Sequence, residues 1–198
     1  IEAKGQSQNM RDIAIDGAGS GGSTANATVD FSSGLSRAVS IETLAAVFRK
    51  YPEVVWCVDC VSSFAGVRVD VDRLGIDVMV TSSQKCLALP PGLSLCTVSP
   101  RAEERAKGVK NRGFYFDLLQ LLSFIREKNF QYPSTMTLPH LFALDVQMER
   151  IAKEGIENRY RRHREMAARV QSWAKEHFAL YPAEPWASAT VTCIRNTR

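Results

Sequence analysis

The sequence predicts an α/β fold, with a mostly parallel central sheet flanked by helices and part of a small C-terminal α+β domain after it. Three observations carry that expectation. Val54-Val55-Trp56-Cys57-Val58 is a continuous apolar run closed by Asp59, and Asp77-Val78-Met79-Val80-Thr81 repeats the device before Ser82-Ser83-Gln84-Lys85. Such runs are the mark of strands covered on both faces. A third run, Leu93-Ser94-Leu95-Cys96-Thr97-Val98, follows, and segments of helical period precede and succeed all three.

The elements are justified in chain order. The stretch to Asp30 is the least patterned, because Gly17-Ala18-Gly19-Ser20-Gly21-Gly22-Ser23 has the composition of a loop or linker. Ser40 is an N-cap candidate, with Thr43 where an acid usually stands. Behind it, Ile41, Leu44, Ala45, Val47 and Phe48 form a helical stripe that should end near Tyr51-Pro52. Helices are expected over 100–109, about 114–126, and 138 to about 178. The last exceeds the usual length of a globular helix and should break or bend near Gly155. A short strand is expected over 188–194, so close to Arg198 that the small domain looks cut short. The resulting division is 1–30 as a poorly defined Gly/Ser-rich segment, 31–154 as part of a large domain, and 155–198 as an incomplete small one.

Bulk properties exclude several classes. With 198 residues, 45% hydrophobic and 23% charged, the chain can bury a core without staples, and no apolar run approaches the roughly 20 residues of a membrane span. Ile1 to Gln8 lacks both a signal core and an amphipathic leader, and the chain does not begin with Met, so a mature or partial chain and a cytoplasmic setting (an organelle not excluded) are expected. Five cysteines, odd in number and mostly inside apolar stretches, imply no disulfide framework. Cys57 and Cys60 should point to opposite strand faces without a second pair to complete a zinc site, so no metal is expected. The net charge of +4 is concentrated at Arg159-Tyr160-Arg161-Arg162-His163-Arg164. That run reads as the solvated face of an amphipathic helix whose apolar stripe is Ile151, Ile156, Tyr160, Met166, Val170 and Trp173, and no nucleic-acid partner is expected.

Chemistry is sought beyond the carboxyl ends of the strands, where α/β sheets gather ligands. Asp59 closes one strand and Lys85 follows another. By position alone they read as a capping acid and a solvated lysine. The wider string changes this. Val58-Asp59-Cys60-Val61-Ser62-Ser63, then Val69-Asp70-Val71-Asp72-Arg73-Leu74-Gly75-Ile76-Asp77, then Ser83-Gln84-Lys85-Cys86-Leu87-Ala88-Leu89-Pro90-Pro91-Gly92 closely resembles the serine/alanine-glyoxylate (serine-pyruvate) branch of the class V aminotransferases, in order and spacing. The likeness runs from about Ser32 to the end of the chain.

The resemblance implies a fold-type I transferase dependent on pyridoxal 5'-phosphate. Lys85 would be its Schiff-base lysine and later its base, Asp59 the partner of the pyridine nitrogen that keeps the ring an electron sink, and Gln84 a phosphate contact, with Ser62 beside the cofactor. It also implies that Tyr132 and Thr135, in Gln131-Tyr132-Pro133-Ser134-Thr135-Met136, reach the phosphate of a neighbouring subunit, so that a homodimer completes the site. The implied activity moves an amino group from a small amino acid, serine or alanine, to an oxo acid, glyoxylate or pyruvate. A desulfurase or β-lyase on the same scaffold and a truncated, non-catalytic homologue are the rivals. Desulfurases usually carry His at the position of Gln84. Departures stand near the ends. Gly19 to Ala25 suits a phosphate-cradling loop in composition but lies too close to the next motif. Phe31 replaces an expected hydroxyl residue, leaving Ser32 and Ser33 as donors. The arginine that clamps the substrate carboxylate should lie beyond Arg198, and neither Arg195 nor Arg198 takes that role.

Overall fold

The computed structural model describes residues 12–18, 24–30, 40–129, 131–182 and 186–197, the first two segments as backbone only. The chain divides into two compact units, one of residues 1–59, 71–80 and 96–137, the other of residues 60–70, 81–95 and 138–198. Ahead of the patterned region stands an antiparallel hairpin, β1 (Asp12–Ala18) and β2 (Thr24–Asp30). The composition of this stretch predicts a loop or linker, whereas the backbone of these two segments pairs as strands. Gly19 to Ser23, the centre of that expectation, lies outside the described residues, as do Phe31, Ser32 and Ser33.

In the first unit, α1 (Ile41–Phe48) begins where Ser40 predicts: the Ser40 Oγ accepts the Thr43 amide at 3.2 Å. Such a cap satisfies one of the four amides left unbonded at a helix start. Ala45 and Phe48 face inward, and the Phe48 ring stacks on Trp56, centroids 4.7 Å apart. Trp56 is 1% exposed and anchors the short strand β3 (Cys57–Asp59). The helical turn α2 (Val71–Leu74) ends at Gly75, whose φ of +77° allows Ile76 N to bond Val71 O at 3.0 Å. That is the left-handed stop for which glycine is favoured.

The three-stranded sheet has the order β3, β4 (Val78–Ser82), β5 (Ser94–Val98). β3 and β4 are parallel, with Asp59 opposite Val80. Ser83 N bonds Leu93 O, and Ser99 N bonds Asp77 O. These bonds pair the two segments in opposite chain order, the antiparallel pattern, so the sheet is mixed. Two expectations need correction. The strand expected from Val54 starts only at Cys57, because the Val54 amide turns back to Tyr51 O at 3.0 Å and stands outside the strand ladder. Nor is it covered on both faces: Cys57 and Asp59 are exposed. A strand is buried twice only where layers cover both faces, and the described residues do not supply both here. Ser99 then caps α3 (Pro100–Lys107), and α4 (Leu118–Glu127) starts later than expected because the Asp117 carboxylate takes the Leu119 amide at 3.0 Å.

In the second unit the long C-terminal helix divides, as its length demands, into α5 (Leu138–Glu154) and α6 (Ile156–His177), parted by Gly155 at φ +80°. The strand expected over 188–194 is reduced to β7 (Ile194–Arg195), antiparallel to β6 (Ala179–Leu180), a pair too short to show a period. Gly66 marks a close crossing. A Cβ there would lie 2.5 Å from Thr190 Cγ2 and 2.7 Å from Cys86 Sγ, inside any tolerable contact. We expect Gly66→Ala to lower stability by about 1–3 kcal/mol through overpacking, measured as a drop in chemical-denaturation midpoint at unchanged slope.

Candidate active site

The lysine turn is the best-built part of the candidate site. β4 ends at Ser82, and the following residues alternate sharply: Ser83 is 0% exposed, Gln84 and Lys85 are exposed, and Leu87 is buried. Ser83 fixes the turn from inside. Its Oγ donates to Pro90 O at 2.7 Å and accepts from Leu93 N at 3.4 Å, while its carbonyl takes the Leu89 amide at 3.0 Å. The Lys85 carbonyl takes the Ala88 amide at 2.8 Å, and Ala88 closes the turn at φ +58°. Leu87 packs with Ala65 and Ile151, with Phe64, Cys86, Leu95 and Leu144 around them. A buried serine and leucine on either side thus leave the amine and the amide side chain facing outward.

Two further segments hold this turn. The loop at its far end rests on α5, where His140 Nε2 lies 3.0 Å from Pro91 O and a Cβ on Gly92 would meet that same nitrogen at 2.8 Å. Arg159 of α6 reaches it from the other side. Its Nε donates to Ala65 O at 3.0 Å, its Nη2 to Cys86 O, and its Nη1 to a Glu154 carboxylate oxygen at 3.1 Å. Arg162 also pairs with Glu154, at 2.6 Å. The Arg162 hydrogen bond, helped by Arg159 and against the cost of burial, holds the Glu154 carboxyl down to about 2. Here the reading of the basic run as a solvated face fails, because Arg159 is 6% exposed. The expected apolar stripe is corrected as well: Ile156, Met166, Val170 and Trp173 are exposed. Period alone marks two faces of a helix without saying which is covered.

Of the residues singled out from the sequence, Asp59 lies at the exposed end of β3 and Lys85 three positions past the end of β4. Ser62 is brought to the lysine turn, since its carbonyl receives the Cys86 thiol at 3.6 Å. Burial, only partly offset by Arg159 and Lys85, pushes that thiol up. Tyr132 and Thr135 are exposed in the loop between α4 and α5, and Ser33 lies outside the described residues. Sequence reasoning missed Ser83 and Arg159. Ser83 stands one place before Gln84, where side chains alternating through a strand tip would have flagged it.

The donors fit a small aromatic aldehyde bearing a phosphate. A primary amine faces outward on a turn fixed from within, and the Ser82 hydroxyl that precedes it is buried with no hydrogen-bond partner among the described residues. An unsatisfied buried hydroxyl is uncommon and calls for a reason, such as a ligand.

An α/β chain with a parallel strand pair and a lysine turn past one of its strands has the architecture of a fold-type I transferase. The profile of the family Aminotransferase class-V matches residues 30–183, and the chain belongs to that family. It is 40% identical over 157 residues to an uncharacterized aminotransferase of Methanocaldococcus jannaschii, covering 78% of this chain and 40% of that protein. It is 34% identical over 149 residues to the serine–glyoxylate aminotransferase of Arabidopsis thaliana, covering 73% and 36%. The crystal structure of an alanine–glyoxylate aminotransferase from Nostoc sp. superposes with a TM-score of 0.72 at 25% identity, covering 78% of this chain and 41% of that one. The chain therefore spans about two fifths of the length of these relatives. No helix among the described residues is long and apolar enough to cross a membrane.

Proposed function

We propose that this chain carries the lysine-bearing part of a pyridoxal-phosphate-dependent transaminase, passing an amino group from a small amino acid such as serine or alanine to an oxo acid such as glyoxylate or pyruvate. The observation that supports it most is the lysine turn, which exposes Gln84 and Lys85 while Ser83 and Leu87 lock it from below. When bound, the cofactor supplies an aldehyde to capture the amine and a ring that withdraws charge from the substrate α-carbon. Lys85 would hold the cofactor through its amine and would serve as the base for the proton at the substrate α-carbon. Asp59 would offer the ring nitrogen a carboxylate, Gln84 would contact the phosphate, and Ser62 would stand beside the cofactor. Tyr132 and Thr135 would serve the phosphate of a second copy, which makes the working unit a homodimer. The relatives named for glyoxylate transfer support the acceptor, and Gln84 in place of the histidine usual in desulfurases supports transamination over sulfur removal.

The test is a titration of the purified protein with pyridoxal phosphate, read as absorbance near the visible edge, then borohydride reduction and peptide mapping. A stable label on Lys85 is expected. Label on another lysine, or none, overturns the proposal. In the same titration Asp59→Ala should keep some binding but lower turnover by about 10- to 100-fold, the effect of losing one charge-assisted hydrogen bond worth about 1.5–3 kcal/mol.

A further inference from the structure

We propose that Arg159 is the positioning residue of Lys85, bridging with one guanidinium the two loops on which the candidate site is built; the inference rests on the transaminase reading above. A buried cation carries a desolvation cost of several kcal/mol unless its donors are well paired. A side chain needed only to fill this space could be apolar. Arg159 instead spends its donors on two backbone carbonyls and one carboxylate, and the choice of carbonyls is specific. One belongs to Cys86, the residue after Lys85. The other belongs to Ala65, six residues after Asp59 and held at φ +65°, a conformation that a non-glycine residue keeps only when its surroundings impose it.

The Lys85 turn is thus fixed at both ends by different means. Ser83 holds its entry through Pro90 and Leu93, while Arg159 holds its exit at Cys86. Holding the Cys86 carbonyl fixes the peptide unit one residue beyond Lys85, and so restricts how far the backbone of the turn can rotate to redirect the lysine side chain. Arg159 therefore acts on the amine without touching it. Glu154, paired with both Arg159 and Arg162, anchors the guanidinium from behind. Lysine could not substitute, because a single ammonium lacks the planar fork that reaches two carbonyls and a carboxylate at once.

The test uses the whole protein free of cofactor, in wild type, Arg159→Lys and Arg159→Met. Amide hydrogen exchange is followed at Ala88 and Leu89, whose N–H groups bond Lys85 O and Ser83 O. Competitive acylation of Lys85 against exposed Lys50 is followed across pH, which reports the amine's own environment. In Arg159→Lys, we expect exchange at Ala88 and Leu89 to rise about tenfold or more. The Lys85 acylation profile should move from its wild-type position, while α1 amides and the Lys50 profile stay unchanged. Should Arg159→Met fail to fold, the lysine variant carries the test alone. Folded variants with wild-type exchange at Ala88 and Leu89 and an unmoved Lys85 profile overturn the proposal. So does full rescue by lysine, which would mean that charge suffices without the bridge. Because neither readout needs cofactor, a wild-type protein that takes no label from pyridoxal phosphate would sink the transaminase reading separately.

Discussion

Lys85→Ala is expected to abolish the borohydride-dependent label outright and to lower transamination by about 10²- to 10⁴-fold, the usual contribution of a positioned proton-transfer group. The effect should be confined to chemistry. Lys85 is exposed, and its backbone carbonyl rather than its side chain makes the bond to Ala88 that shapes the turn. Exposed substitutions away from such features usually stay within about 0.5 kcal/mol, so the thermal midpoint should hardly move. Pairing the two measurements separates the proposal from its rivals. A variant that unfolds would show that the lysine serves stability, and a folded variant that still takes the label would show that another lysine holds the cofactor. On a chain that keeps only the fold, neither wild type nor variant would be labelled.

How much of this could be read from residues alone depended on whether the deciding force was local. The Ser40 cap, the break at Gly155 and the three strand positions rest on a hydroxyl, a positive φ and short apolar runs, all visible in a few letters. The motif order around Asp59 and Lys85 was equally visible, and it pointed to the family that the profile match then established. What escaped was set by partners distant in sequence. Arg159 is buried because the carbonyls of Ala65 and Cys86, 94 and 73 positions away, need donors. Nothing in the string Arg159 to Arg164 distinguishes it from its exposed neighbours Arg161, Arg162 and Arg164. The strand ahead of Asp59 was overextended for the related reason that Val54 and Trp56 satisfy the apolar pattern of a strand while both are buried ahead of it, Trp56 against Phe48 of α1. Short strands such as β6 and β7 have too few residues for any period.

Asp77 should prove the most stability-sensitive acid in the first unit. Only 3% exposed, its carboxylate accepts Trp56 N at 2.8 Å, Ser99 Oγ at 2.7 Å and Arg101 Nε at 2.9 Å, with a further bond from Arg101 Nη2. It therefore ties the residue before β3 to the cap of α3 across the base of β4, beneath the strands that end at Asp59 and Ser82. Burial pushes its carboxyl up, but the bonds from Arg101, Trp56 and Ser99 outweigh that and leave it below the ordinary value of 3.8. Asp77→Ala strands a buried amide and removes the counter-charge of Arg101, which should cost about 3 kcal/mol, or about 6–12 °C in thermal midpoint for a chain of this length. The same carboxylate ties stability to pH. Because the folded form binds its proton only at lower pH than the unfolded chain, the stabilisation is complete above about 3.8 and disappears as pH falls through the lower folded value. Wild type should therefore lose stability steeply as pH drops below 4. Asp77→Asn, which keeps the shape but cannot ionise, should start less stable at neutral pH and show a shallower acid limb in chemical denaturation. An Asn variant as stable as wild type at pH 7, or an acid limb of unchanged slope, would mean that the Asp77–Arg101 pair does not fasten the base of the sheet.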